Sequence, residues 1–357
     1  MAIVRVRYRR TDTKNTDLLS IRKDSTMRTV ALVGDGQMGL VLADALVARG
    51  EKVRLWGPFP EEVAQLAKTR ISPRLSGFQL SGDVEVCVDA KAALSGVDVA
   101  INAIPTQYVR NVWSNLSDHL PTGTPIASVA KGIEIGSLQR PTQVIQEVVG
   151  TTSKVCVLSG PTIATEIANH QPAAMVASST DASVATLIQD IFNVPWLRVY
   201  THDDPLGVEL AGATKNVIAI AAGICDGIEI GDNAKSAMLA RGLAEISRLG
   251  VAMGASIETF FGISGVGDLA TTCFSPHGRN RTCGERLGRG ETLETIQETM
   301  GSVVEGVPTT KAVRELAAEY SVEMPISEAV YQILYEGFPM RSAIDGLMSR
   351  DLKAEKI

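Results

Sequence analysis

From residue 29 to residue 200, short apolar runs alternate with amphipathic stretches, and the alternation predicts the fold. Residues 30–33 read Val-Ala-Leu-Val, the length and composition of a strand buried on both faces. Residues 40–49 carry apolar side chains at helical spacing, and Gly50 stands where a helix often ends in a left-handed residue. Further strands are expected at 53–56, at 97–104 up to Pro105, and at 126–129, 155–158, 174–177 and 197–200. A helix should run from 107 towards 120, before Pro121. Parallel neighbours need crossover connections, and the amphipathic stretches supply them. The expectation is an α/β Rossmann-type doubly wound sheet.

Beyond Asp203-Asp204-Pro205 the strand-like alternation stops. Helical patterns follow at 206–224, 233–253, 292–300, 309–319 and 326–336, with no internal repeat or low-complexity tract. This places a sheet domain at 28–204 and an all-α C-terminal domain at 205–357. Residues 1–27 read as a leader outside both, expected to be disordered. Arg5, Arg7, Arg9, Arg10, Arg22 and Lys23 make it basic, and it has no apolar segment of the signal-peptide kind. Translation could begin at Met1 or at Met27.

Composition acts by exclusion. A net charge of −6 does not suggest a nucleic-acid partner. No run approaches the ~18 consecutive apolar residues of a membrane span. Cys87, Cys156, Cys225, Cys273 and Cys283 form no CxxC pair, which points to reduced thiols and a cytoplasmic location. His119, His170, His202 and His277 share no metal-ligand spacing, so no metal is expected.

Gly34-Asp35-Gly36-Gln37-Met38-Gly39 follows the first strand directly and opens a helix. In that context the first glycine permits a tight turn, the second lets a pyrophosphate approach the backbone, and the third allows close helix–strand packing. The free N–H groups of the helix start then face the phosphates. The second strand ends in Trp56-Gly57-Pro58, where an NAD enzyme commonly places a carboxylate on the ribose hydroxyls. No carboxylate follows until Glu61, and Lys52 and Arg54 are nearby cations, so NADP is admitted beside NAD.

Residues 208–224 are apolar almost all round, the pattern of a buried helix, yet Lys215 stands among them. Ala211, Gly212, Ile218 and Ala219, three and four positions away, include no acid. A buried ammonium costs several kcal/mol unless a distant group, water or substrate compensates it. Lys215 is therefore either the structural partner of Glu209 or a catalytic lysine.

Six segments extend this pattern: SVAKGIE at 128–134, LSGPTIATEIA at 158–168, GVELAGATKNVIAIAAGI at 207–224, GVGDLATTC at 265–273, SPHGRNR at 275–281 and VVEG at 303–306. With these in order, residues 28–345 resemble the bacterial-type NAD(P)-dependent glycerol-3-phosphate dehydrogenase family. The resemblance implies reversible hydride transfer between NAD(P)H and dihydroxyacetone phosphate, giving sn-glycerol 3-phosphate for glycerophospholipid synthesis, by a homodimer. It implies Lys215 as the general acid/base and Lys131 as a second active-site lysine near cofactor and substrate. Gly160 and Thr162 match the substrate-side loop, and Ala164 a cofactor contact. Asn216, Asp268, Thr272, Gly278, Arg279 and Asn280 match substrate-binding positions, the Arg-Asn pair holding the phosphate, with Arg279 also near the cofactor. Val303 and Glu305 match the nicotinamide side, and Gly34, Gly36, Gln37, Met38, Gly39 and Pro58 the cofactor loop region. Three departures stand out. Met38 replaces a common aromatic, Gly278 a common serine, and Pro58 a basic residue that would help read a 2′-phosphate.

The chemistry wants such residues. Hydride delivery to the C2 carbonyl creates an alkoxide that a nearby proton donor must meet. A lysine serves if burial and a second cation such as Lys131 lower its pKa from about 10.4. Asp268 would act oppositely, so orientation is its expected task, with a helix cap after Gly267 as the bland alternative. Arg279 offers a planar fork for phosphate, the alternative being a solvated basic face shared with Arg281 and Arg286. A dehydrogenase of hydroxyacids or hydroxyacyl thioesters would read better with a catalytic histidine–glutamate pair in the helical part. A nucleotide-sensing module would not need Lys215 and Lys131.

Overall fold

The computed structural model describes residues 27–150, 154–301, 303–352, 354 and 355; all but the last residue of the basic leader lies outside them. The first strands and helices are β1 (Thr29–Val33), α1 (Gln37–Arg49), β2 (Lys52–Trp56), α2 (Pro60–Thr69), β3 (Val84–Cys87), α3 (Ala90–Leu94), β4 (Val99–Asn102) and α4 (Thr106–Leu116). β5 (Ile126–Ser128), α5 (Pro141–Val149), β6 (Val155–Ser159), α6 (Ala164–Ala168), β7 (Ala173–Ser178), α7 (Ala182–Phe192) and β8 (Leu197–His202) complete the sheet region. The strands lie in the order β3-β2-β1-β4-β5-β6-β7-β8. Strand order reverses between β1 and β4, the crevice where such sheets bind ligands.

Val30 to Val33 are at most 1% exposed because helices cover both faces of the sheet. The expected parallel arrangement holds from β3 through β6, but β7 runs antiparallel to β6. The only helix between them, α6, is roughly 7 Å long against about 16 Å for β6, too short to carry the chain back beside it. Edge strand β3, with Glu85 and only four residues, has no apolar run to announce it.

After His202 the chain is helical: α8 (Pro205–Gly227), α9 (Asp232–Ala252), α10 (Asp268–Phe274), α11 (Arg279–Gly288), α12 (Leu293–Thr299), α13 (Gly306–Glu319), α14 (Pro325–Tyr335) and α15 (Met340–Met348). Short 3-10 and π turns link α9 to α10. α8 is the axis of this part, buried without a break from Gly207 to Cys225. By length and hydropathy it would pass as a membrane span although Glu209 and Lys215 interrupt its apolar run, but its apolar stretch is buried inside the protein. α8 and α11 touch backbone to backbone. A Cβ on Gly223 would stand 1.9 Å from the Arg281 carbonyl oxygen, and one on Gly284 2.0 Å from that of Ile220. This contact brings the N-terminus of α11 beside the middle of α8.

Candidate active site

The glycine loop forms a tight turn between β1 and α1. Gly34 adopts φ +120° with its Cβ direction against the Ala103 carbonyl, and a Cβ on Gly39 would lie 1.9 Å from the Gly34 oxygen. Beyond Gly36 no atom lies within 4 Å of the Cβ direction, leaving a cradle open at the start of α1. Gln37 Nε2 donates to the Arg74 carbonyl at 2.6 Å, and Met38 packs into the core. Pro58 is exposed past the end of β2. The two cations singled out from sequence lie elsewhere. Lys52 pairs with Thr29 at the opposite end of β2, and Arg54 donates to the Ser95 carbonyl at 2.8 Å with Glu85 3.4 Å away.

The two lysines meet on one carboxylate. Lys215, 5% exposed on α8, donates from Nζ to Asp268 Oδ1 and to Thr272 Oγ1, each at 2.5 Å. Lys131, on the loop after β5, donates to Asp268 Oδ2 at 2.7 Å and to the Gly160 carbonyl at 2.8 Å. Asp268 is 1% exposed at the first turn of α10, and no side-chain cap bond is made there. Burial holds the Lys215 ammonium down to a pKa of about 8; Asp268 opposes this shift and the Lys131 charge adds to it.

Glu209 is not the partner of Lys215. Its carboxylate accepts from Arg140 Nη1 at 2.7 Å, from the Thr142 N–H at 2.8 Å and from Thr142 Oγ1 at 2.6 Å, tying α8 to the start of α5. Burial pushes its pKa up while Arg140 and Thr142 pull it back.

A relay of amides braces the site. Asn216 Nδ2 donates to the Lys131 carbonyl, Asn280 Nδ2 to Asn216 Oδ1, and the Gly306 N–H to Asn280 Oδ1, each at 2.9 Å. The side chain expected to hold phosphate with Arg279 is thus largely engaged, leaving the backbone of Asn280 for a ligand. The Arg279 side chain makes no hydrogen bond or ion pair among the described residues. It is open to solvent, yet the surrounding protein disfavours its charge and Glu305 partly restores it. It opens α11 after Gly278, where first-turn N–H groups lack helical acceptors.

Glu305, just before α13, accepts from the Thr106 N–H at 3.0 Å and joins the helical part to the start of α4. Its Oε2 and Thr106 Oγ1 are buried without hydrogen-bond partners among the described residues, and burial lifts its pKa to about 7. Thr162 Oγ1 donates to the Gly160 carbonyl at 3.1 Å, Ala164 opens α6, and Val303 is half-buried. Sequence reasoning missed Thr106, whose one signal is its place at a strand's carboxyl end after Pro105. It missed Ser159 too, whose Oγ is buried at the end of β6 with no partner among the described residues.

The described N-terminal and C-terminal parts match two family models. The NAD-dependent glycerol-3-phosphate dehydrogenase N-terminus covers residues 29–185 and the corresponding C-terminus residues 204–345. A glycerol-3-phosphate dehydrogenase [NAD(P)+] of Geobacillus kaustophilus is 45% identical over 332 residues, 92% of this chain and 96% of that protein. One from Moorella thermoacetica is 42% identical over 323 residues, 90% of this chain and 96% of its own. The crystal structure of glycerol-3-phosphate dehydrogenase from Coxiella burnetii superposes with a TM-score of 0.87 at 33% identity, covering 91% of this chain and 99% of that one. With sheet order, glycine loop and paired lysines in place, the chain belongs to the NAD-dependent glycerol-3-phosphate dehydrogenase family.

Proposed function

We propose that this chain interconverts dihydroxyacetone phosphate and sn-glycerol 3-phosphate with NAD or NADP, and that Lys215 carries the proton. The observation that carries this reading is a buried lysine held by Asp268 and Thr272 beside a second lysine. The open cradle at Gly36, with the orphaned oxygens of Glu305 and Thr106 across the crevice, fits a dinucleotide. When bound, its nicotinamide supplies or takes up the hydride at the substrate's C2.

Lys215 donates its proton to the C2 oxygen as negative charge grows there, and recovers it in the reverse direction. A pKa of about 8 keeps it mostly protonated at neutral pH yet able to part with the proton. Asp268 orients both ammonium groups. Lys131 adds a second positive charge, so the site favours an anion in the transition state. Arg279 and the first-turn N–H groups of α11 bind the phosphate. Thr162, Asn216, Asn280 and Thr272 shape the substrate side, and Ala164, Val303 and Glu305 the nicotinamide side.

The same reading takes the sheet domain as 28–204 and the helical domain as 205–357, and the enzyme as a cytoplasmic homodimer serving glycerophospholipid synthesis. Loss of nicotinamide absorbance on adding dihydroxyacetone phosphate, followed with NADH and then NADPH, tests it directly. Binding of both nucleotides without any oxidation would favour a sensing module instead. Sedimentation velocity tests the dimer.

A further inference from the structure

We propose that Arg74 reads the adenosine end of the dinucleotide and tips its choice towards the 2′-phosphorylated form. This rests on the dinucleotide reading above and adds to it a residue that selects between the two cofactors. In a sheet of this topology the adenosine ribose lies over the end of the second strand, about 20 residues past the first glycine. Here that place is Trp56-Gly57-Pro58, which the glycine loop abuts, the Gly34 N–H donating to the Trp56 carbonyl at 2.7 Å.

Three charged groups gather at this spot. Asp35 lies so close that a Cβ on Gly57 would stand 2.5 Å from its carboxyl carbon. Arg74 comes from the loop between α2 and β3, with its guanidinium carbon 5.6 Å from the centre of the Phe59 ring, next to Pro58. Glu62 on α2 forms an ion pair with one Arg74 nitrogen, while Arg74 Nε is buried and has no partner among the described residues. The loop is anchored, since Leu75 beside Arg74 is 2% exposed and the Arg74 carbonyl holds Gln37 of the glycine loop.

The guanidinium therefore has unused donor capacity, a fixed backbone and an aromatic face beneath it. A 2′-phosphate adds charge and acceptor oxygens that a guanidinium meets in fork geometry. An unphosphorylated ribose has hydroxyls that can donate to Asp35 instead. Arg74 supplies the cation that Pro58 does not, and the carboxylates of Asp35 and Glu62 limit its effect. The phosphorylated cofactor is preferred, and the other remains usable.

The test is calorimetric titration of the intact protein with adenosine 2′,5′-bisphosphate and with 5′-AMP, without substrate. The wild type should bind the bisphosphate more tightly, and added salt should narrow the gap. Arg74→Ala should lower the ratio of the two affinities by about tenfold or more. Glu62→Gln, which releases the guanidinium from its competitor, should widen that ratio. Equal losses for both probes in Arg74→Ala would reduce Arg74 to a prop for the glycine loop and overturn the proposal. So would an unchanged ratio in either variant. A wild type that binds neither probe would instead overturn the dinucleotide reading itself.

Discussion

The ammonium of Lys215 rests 2.5 Å from the carboxylate of Asp268, on an element 53 positions further along the chain. Because Asp268 also holds Lys131, deleting Lys215 does not strand an unpaired buried carboxylate. At neutral pH the burial of the Lys215 charge opposes folding. Lys215→Met, which keeps the stem's volume, should therefore fold, melt within a few degrees of wild type and still bind NADH. Its kcat should fall by about 10²–10⁴, the range of general acid catalysis. A well-folded variant keeping more than about a tenth of kcat would sink the assignment, since tenfold is only about 1.4 kcal/mol.

Glu209→Ala should behave in the opposite way. The substitution leaves Arg140, whose side chain is 14% exposed, facing a carboxylate-sized gap on α8. Removing one member of a buried pair costs about 3–5 kcal/mol. Thermal stability should drop strongly, while kcat per folded molecule stays near wild type. Activity lost without stability lost would place Glu209 in the chemistry.

Protonation of Lys215 sets the pH profile. Reduction of dihydroxyacetone phosphate needs the ammonium, so kcat/KM should be flat below pH about 8 and fall above it. Oxidation of sn-glycerol 3-phosphate needs the neutral amine, so kcat/KM should rise up to about that pH and then level off. Residual activity of Lys215→Met should lack both limbs. Parallel profiles in the two directions would contradict Lys215 as the titrating group.

Arg279→Ala should impair phosphate handling and spare the nucleotide. Losing a charge-assisted forked contact costs roughly 2–4 kcal/mol in kcat/KM. Unphosphorylated dihydroxyacetone, which lacks the group Arg279 is expected to hold, should react equally with variant and wild type. If the variant loses NADH affinity alone, Arg279 serves the cofactor and not the phosphate.

Both nucleotides should support turnover, because one guanidinium at the adenosine end faces two carboxylates, Asp35 and Glu62. The ratio of kcat/KM for NADPH over NADH should exceed one and stay below about a thousandfold, roughly 4 kcal/mol. A larger preference would require a contact other than Arg74.

Much of the molecule was legible one segment at a time. Apolar runs marked β1 and the central strands because burial on both faces demands uninterrupted side chains of that kind, while β2 showed as Val53 and Leu55 alternating with cations. Gly34 and Gly39 announced a tight strand-to-helix turn because only glycine tolerates those backbone approaches, with Gly36 at the opening between them. A lysine in an all-apolar helix announced a buried charge. None of this required knowing what the helix would meet. Tertiary structure decided the partners. Asp268 joins Lys131 across 137 positions, Glu209 turns to Arg140, and Arg74, not Arg54, faces the end of β2. Periodicity reports how a side chain is buried, but its neighbour depends on how whole elements pack. Here the contact of α8 with α11 through Gly223 and Gly284, and the short α6 that turned β7 antiparallel, set those neighbours.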